Sequence, residues 1–485
     1  IKPFYYTIIE NTLYFASEIK ALFPFMDKLE EDIDGISEYL FFQYPISEKT
    51  MFKNVKQLSP GHYLKIENNM VVIKKYWNLS YHKKNNYTLS EQCDNIKKII
   101  NQSMKIHLHS DVPISSYVSG GIDSSIVSII TNNNNKLTSL FHGKFSKYPE
   151  CDESTFAESV SKKTEKIMYT ADINFKEFVE NINKIIYYLD YPTAGPGSFP
   201  QFMISKLASQ HTKVILGGQG GDEIFGGYVR YLIPYLEKCI NDAIDGKKDD
   251  LIELSNHLEI LKQYKPLIKK FLKEGTFENL NNRYFHMCDR TKSIKDIVNW
   301  QIIDKNKIYK TFSEKFNNSN IPNEDFFNKM LNFDLENSLP ALLHVEDRVS
   351  MAWGLESRVP FINKDIIKYM ASVPENIKIN AGNMKYLLKE SFKYELPDDV
   401  YNRKNKMGFP VPLNDWFKNE LKDYFTNCMK KLIDRNLPYL NLNNSILKDF
   451  ENTPTFSRKY WILFSLELWY ENTFDKFDTF KNYIN

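Results

Sequence analysis

Cysteine is scarce and scattered in this chain. The five thiols, Cys93, Cys151, Cys239, Cys288 and Cys428, form no CxxC pair, and their odd count does not suggest a disulfide framework. Separate reduced thiols point to a cytoplasmic enzyme and away from a disulfide-stapled secreted domain. No apolar run approaches the roughly 20 residues that span a bilayer. The start carries no basic-then-apolar signal peptide, so no membrane partner is expected. An excess of one charge is missing too: 63 Lys+Arg face 61 Asp+Glu, a net of +2. Nucleic acid is therefore not an expected partner. The Walker A pattern Gly-x4-Gly-Lys-Ser/Thr is also absent.

What is present suits a globular protein. At 485 residues, with 42% hydrophobic and 14% aromatic residues, the chain exceeds what one core organises, and two domains are expected. Residues 5–16 alternate and turn at Asn11, which predicts a hairpin. A second hairpin is expected from Leu58 to Ile73 around Asn68-Asn69, with a helix near 34–43. Residues 1–80 thus form a small, mostly β piece. Because Ile1 runs directly into strand-like text, the chain is expected to begin inside a domain.

From 81 the pattern changes. Apolar residues at helical spacing predict a helix from Leu89 to about His109. Strands are expected at 112–118, 137–141, 166–170 and 212–216, with helices from Asp123 to the asparagine run at 132–135, from Glu153 to Lys163 and near 175–188. Strands alternating with helices imply an α/β fold with a doubly wound parallel sheet. Beyond Tyr228 the period is nearly all helical, so the C-terminal part is expected to be helical.

The chemistry gathers at strand ends. After the first strand of this part comes Ser119-Gly120-Gly121-Ile122-Asp123-Ser124-Ser125, opening a helix. Glycines let backbone approach an anion, and the amides of a helix start point at it. The hydroxyls of Ser119, Ser124 and Ser125 add donors, and Asp123 can hold Mg2+ against phosphate charge. The plainer alternative is a Ser/Gly turn capping an ordinary helix.

Gly217-Gly218-Gln219-Gly220-Gly221-Asp222-Glu223 follows a later strand of the same sheet. Asp222 and Asp123 are expected to face one another across a triphosphate, because ligands bind at the C-terminal strand edge. A tight connection with capping acids is the alternative. The dense charges of residues 344–361 read either as an active-site wall, with Arg348 or Arg358 near phosphate or a substrate carboxylate, or as internal ion pairs. His344 and Trp353 read as packing residues. Lys404 and Lys406, beside Gly408 and Pro410, could offer a cation to pyrophosphate or equally form a solvated surface.

SGGIDSS resembles the signature of the ATP-pyrophosphatase (PP-loop) family. With GGDEIFGGY, SMAWGLESRVPF and KMGFPVPL in this order, the chain is similar to the glutamine-dependent asparagine synthetases from Ile1 to about Phe417. The resemblance implies a PP-loop domain over 81–485, with the adenine nucleotide alpha-hydrolase-like fold. It also implies that residues 1–80 are the last part of an Ntn-type, class II glutamine amidotransferase domain. The implied ligase converts aspartate, ATP and ammonia to asparagine, AMP and pyrophosphate through β-aspartyl-AMP, and glutamine supplies the ammonia in a full-length enzyme. A homodimer is the implied assembly.

By position, Ser119, Gly120, Gly121, Asp123, Ser124 and Ser125 would hold pyrophosphate. Tyr117, Val118, His142, Gly143, Gly217 and Gly218 would cradle the nucleoside, and Asp123 with Asp222 would bind Mg2+. Lys406, Gln219 and Glu223 match the catalytic positions. Two departures stand out. The family's N-terminal nucleophilic cysteine is not in this stretch, whose first cysteine is Cys93; as written, the chain is expected to use free ammonia. Well-studied members have Glu where this chain has Gln219, which cannot carry charge or act as a base. The loop 191–200 is expected to shape the acceptor pocket. The rival readings are a relative acting on another carboxylate such as a uronic acid of a surface polysaccharide, a tRNA-modifying PP-loop enzyme, and a non-catalytic relative.

Overall fold

The computed structural model describes residues 2–68, 70–81, 85–244, 279–317, 320–323, 325–403, 408, 410–453 and 457–482. The N-terminal part holds two antiparallel pieces. Strands β1 (Tyr5–Ile9), β2 (Thr12–Ala16) and β3 (Lys56–Gln57) form a sheet in the order β2-β1-β3. The expected hairpin turns at Glu10 and Asn11, both at positive φ, the twist that a two-residue hairpin turn requires. Strands β4 (His62–Glu67) and β5 (Met70–Lys75) make the second hairpin, and α1 (Ile33–Phe42) is the expected helix, capped by the Asp32 side chain on Gly35 N.

A Thr88–Glu91 capping box starts α2 (Leu89–His107). The main sheet follows, with β6 (Ile114–Tyr117), β7 (Leu137–Lys144), β8 (Met168–Asp172), β9 (Val214–Leu216) and β10 (Glu356–Arg358) in the order β10-β9-β6-β7-β8. Every pairing in it is parallel. The chain winds outward from β6 through β7 to β8, then returns to the other side of β6 for β9 and β10. The doubly wound α/β reading therefore holds.

Both faces of this sheet are covered, as parallel pairing demands. Strand residues alternate between two apolar clusters. Leu140, Val214 and Leu216 join Val127, Ile130 and Val160 of α3 (Ile122–Asn133) and α4 (Ser154–Thr164). Phe141 and Ile215 join Ile204 and Ala208 of α6 (Ser198–Ser209) on the opposite face. On that face too lies α5 (Phe175–Leu189), started by an Asn174–Glu177 capping box.

Three local expectations are corrected. Strand β10 lies in a stretch read as helical; three residues suffice for an edge strand once β9 offers its backbone. The loop expected at 191–200 ends early, because Ser198, Phe199 and Pro200 form the first turn of α6, where proline needs no amide partner. Strand β7 runs on to Lys144, so His142 and Gly143 are strand residues and not part of the loop beyond it.

Candidate active site

Because β6 and β9 are neighbours and their onward connections diverge, the loops at their C-terminal ends flank one crevice, the usual ligand site of such sheets. The first loop, 118–121, leads into α3 with Gly121 at the cap position and no side chain capping the helix start. The second, 217–220, leads into α7 (Gly221–Phe225). The two loops interlock through glycine. A Cβ on Gly218 would stand 2.8 Å from the amide nitrogen of Ser124, and one on Gly221 would overlap the Asp123 carboxylate. Only residues without side chains let backbones approach this closely.

The hydroxyls of the first loop divide. Ser119 Oγ and Ser124 Oγ lie 3.2 Å apart at the loop mouth. Ser125 is fully buried and donates to Gly121 O at 2.7 Å, so its hydroxyl anchors the helix and does not face an anion. Val118 N donates to Phe141 O at 2.9 Å, and His142 Nδ1 meets Val118 O at 2.8 Å. His142 Nε2 meets Ser154 Oγ at 3.1 Å. Burial pushes the His142 pKa down, which favours the neutral ring. Both ring nitrogens thus brace the loop, and Gly143 follows in the same strand. Tyr117 closes the floor, its hydroxyl 2.7 Å from Ser205 Oγ.

Asp123 and Asp222 come together as expected, through a residue that the sequence did not single out. The Lys385 ammonium is ion-paired to Asp123 and lies 2.7 Å from Asp222 Oδ1. Lys385 is only 4% exposed and sits at positive φ, just before the helix Tyr386–Ser391. Nothing in its local sequence marks it: one lysine ahead of an apolar helical turn is an ordinary pattern. Its role exists only because the 380–383 turn delivers it to two strand-end loops.

Lys406 lies outside the described residues. Three positions earlier, Arg403 donates to Gly120 O at 3.2 Å, pairs with Glu153 and stacks over Phe156 at 4.2 Å. This joins Arg403 to the first loop.

Glu223 departs from its expected place. It is 2% exposed, receives the Tyr228 hydroxyl and borders a small cavity with Tyr81, Ile224 and Lys378. Successive helix residues point about 100° apart, so Asp222 and Glu223 cannot both face Lys385. Burial, with the Asp222 charge beside it, raises the Glu223 pKa to about 7.

Gln219 is half-buried, and its Nε2 donates to Glu346 Oε2 at 3.3 Å. Glu346, from the helix Leu339–Met351, is the second group the sequence reading missed; it was one charge among many in 344–361. The two arginines of that stretch do not face the crevice. Arg348 is buried against Ser17 O, Glu18 and Asp190, and Arg358 donates to His107 O and His109 O at 2.6 and 2.9 Å. His344 stacks on Tyr191 at 5.1 Å and lies 2.8 Å from Leu189 O through Nε2. Burial, with Arg348 nearby, lowers its pKa to about 3. Trp353 packs on Phe202. Internal contacts describe the two arginines, whereas Glu346 of the same stretch reaches the second loop.

No described helix is long and apolar enough to cross a membrane. The asparagine synthase family model matches residues 95–471, and a glutamine amidotransferase domain model matches residues 1–77. Asparagine synthetase [glutamine-hydrolyzing] 1 of Bacillus subtilis is 28% identical, over 98% of this chain and 74% of its own length. A putative asparagine synthetase of Mycobacterium tuberculosis H37Rv is 26% identical, over 86% of this chain, which spans 64% of that protein. A protein of Penicillium rubens named amidase chyE is 23% identical, over 86% of this chain and 67% of its own length. With more than three quarters of its length matched by one family model, the chain belongs to the asparagine synthase family, a family of carbon–nitrogen ligases.

Proposed function

We propose that residues 81–485 adenylate a carboxylate with ATP and transfer it to ammonia, and that residues 1–80 are glutaminase-type. The observation that carries this reading is the meeting of Asp123 and Asp222 on Lys385, beside a helix start that no side chain caps. The carboxylate oxygen attacks the α-phosphorus, the bond to the α–β bridging oxygen breaks, and pyrophosphate leaves. Ammonia then attacks the acyl carbon and AMP departs. Adenylation matters because a free carboxylate offers no leaving group.

In this reading the amides of Gly120 and Gly121, the hydroxyls of Ser119 and Ser124, and the cations Lys385 and Lys406 receive the departing charge. Tyr117, Val118, His142, Gly143, Gly217 and Gly218 form the nucleoside floor. Mg2+ suits the chemistry of the donor set, because two carboxylates converge on one cation, the Lys385 ammonium. Among the described residues no three acidic, His or Cys side chains make an all-protein cage. Asp123 and Asp222 would hold the ion, which when bound neutralises phosphate charge.

Aspartate is the proposed acceptor. A uronic acid is the second reading, supported by Gln219, which carries no charge where well-studied members have Glu. ATP–pyrophosphate exchange, with aspartate or uronic acids supplied, tests both. Exchange with a uronic acid alone would reassign the substrate, and exchange with no carboxylate would end the ligase reading.

A further inference from the structure

Glu346 has an unusual set of neighbours for a buried carboxylate. It is 4% exposed. Its Oε2 accepts from Gln219 Nε2 of the second loop and from Gln201 Nε2 in the first turn of α6. Its Oε1 accepts from Ser357 Oγ of β10 and lies 3.1 Å from the position of a Cβ on Gly217. Four elements therefore meet on one side chain at the floor of the crevice. Burial raises its pKa above the usual carboxylate value, and the three side-chain donors offset part of that rise.

This arrangement dictates the orientation of Gln219. Gln201 and Ser357 also donate to Glu346, so Glu346 serves as an acceptor here, and the Gln219 amide turns its NH2 end toward Glu346 and its carbonyl oxygen away from it. The reversed amide would set two acceptor oxygens against each other at a buried position, which costs about as much as a lost hydrogen bond. Position 219 therefore presents an uncharged acceptor next to the loops that hold Asp123 and Asp222.

We propose that Glu346 is a positioning residue that fixes Gln219 Oε1 as the acceptor for an N–H of the ammonia attacking the acyl adenylate. The inference rests on the ligase reading above. In this step the nitrogen lone pair forms the C–N bond, the C–O bond to AMP breaks, and the proton shed by nitrogen leaves on the AMP phosphate. Gln219 orients the nucleophile and takes no proton.

The test uses the purified chain with ammonium chloride as nitrogen source. It follows ATP–pyrophosphate exchange and amide formation separately. Glu346→Gln, which can present either end of its amide to Gln219, is expected to raise KM for ammonia about tenfold more than KM for ATP. The exchanged pair Gln219→Glu/Glu346→Gln restores one acceptor facing one donor. It is expected to bring KM for ammonia back to within about threefold of the parent, and to make amide formation fall at acid pH as the new carboxylate protonates. Gln219→Glu alone opposes two carboxylates and is expected to be worse than the exchanged pair. Equal KM shifts for ammonia and ATP in Glu346→Gln, or an exchanged pair no better than Gln219→Glu, would overturn the proposal. Loss of exchange in the parent protein would instead overturn the ligase reading, and this inference with it.

Discussion

Two seams in this protein bury clusters of charge, and they differ in what each cluster joins. At the seam between the N-terminal part and the parallel sheet, Asp190 accepts from Ile19 N at 2.9 Å, Lys20 N at 3.3 Å and Lys20 Nζ at 3.0 Å, with Arg348 at 3.5 Å. Burial opposes the Lys20 charge, yet Asp190 and Glu18 hold its pKa above the usual lysine range. That carboxylate is saturated by backbone and cation together, as a purely structural charge must be. At the crevice, Asp123 and Asp222 both meet the ammonium of Lys385, which links two strand-end loops. The first cluster ties the N-terminal part to the sheet, and the second ties two strand-end loops together at the crevice.

Breaking the saturated seam should have the largest effect. Asp190→Ala leaves Arg348 and Lys20 buried without their main anion, so denaturant unfolding should show a loss of about 3–5 kcal/mol. Pyrophosphate exchange per folded molecule should hold. A stability loss under 1 kcal/mol would dissolve the contrast between the seams. Asp123→Ala should fall chiefly on activity: exchange drops roughly a hundred- to thousandfold, while Asp222 still holds Lys385 and keeps the stability loss below that of Asp190→Ala. Retained exchange would mean that the crevice is not the reacting site.

Lys385→Met sharpens the comparison further. With the bridging cation removed, exchange at limiting ATP should fall about tenfold, and added Mg2+ should recover part of it. A variant insensitive to Mg2+ would show that the carboxylates do not share a cation site.

The smallest effect concerns pH. The Glu223 pKa is raised from its ordinary value to about 7 in the folded state, so the folded protein retains a proton that the unfolded chain loses from about pH 4.5 upward. The stability associated with that proton is complete below pH 4.5 and is lost as pH rises through 7. The Tm of Glu223→Gln should therefore fall less between pH 5 and pH 8 than that of the parent, and identical pH profiles would contradict the assignment.

The expectations from sequence succeeded where the cause is local. The hairpin turning at Asn11, the helices α2 and α5, and the glycine loops at 120 and 218 each follow from neighbouring residues and their backbone preferences. Strand β10 was missed because three residues carry too short a period to be seen. Glu223 was misplaced because adjacency in sequence is not adjacency in space on a helix.

The sequence by itself determined the parallel sheet, the two strand-end loops and the convergence of Asp123 with Asp222, since short periodic runs and glycine spacing encode them directly. Only folding brings Lys385 between those acids, Glu346 under Gln219, and Arg348 and Arg358 onto Asp190 and backbone carbonyls. Those residues lie dozens to hundreds of positions from their partners. A charge's role is set by what surrounds it after folding, which no local pattern records.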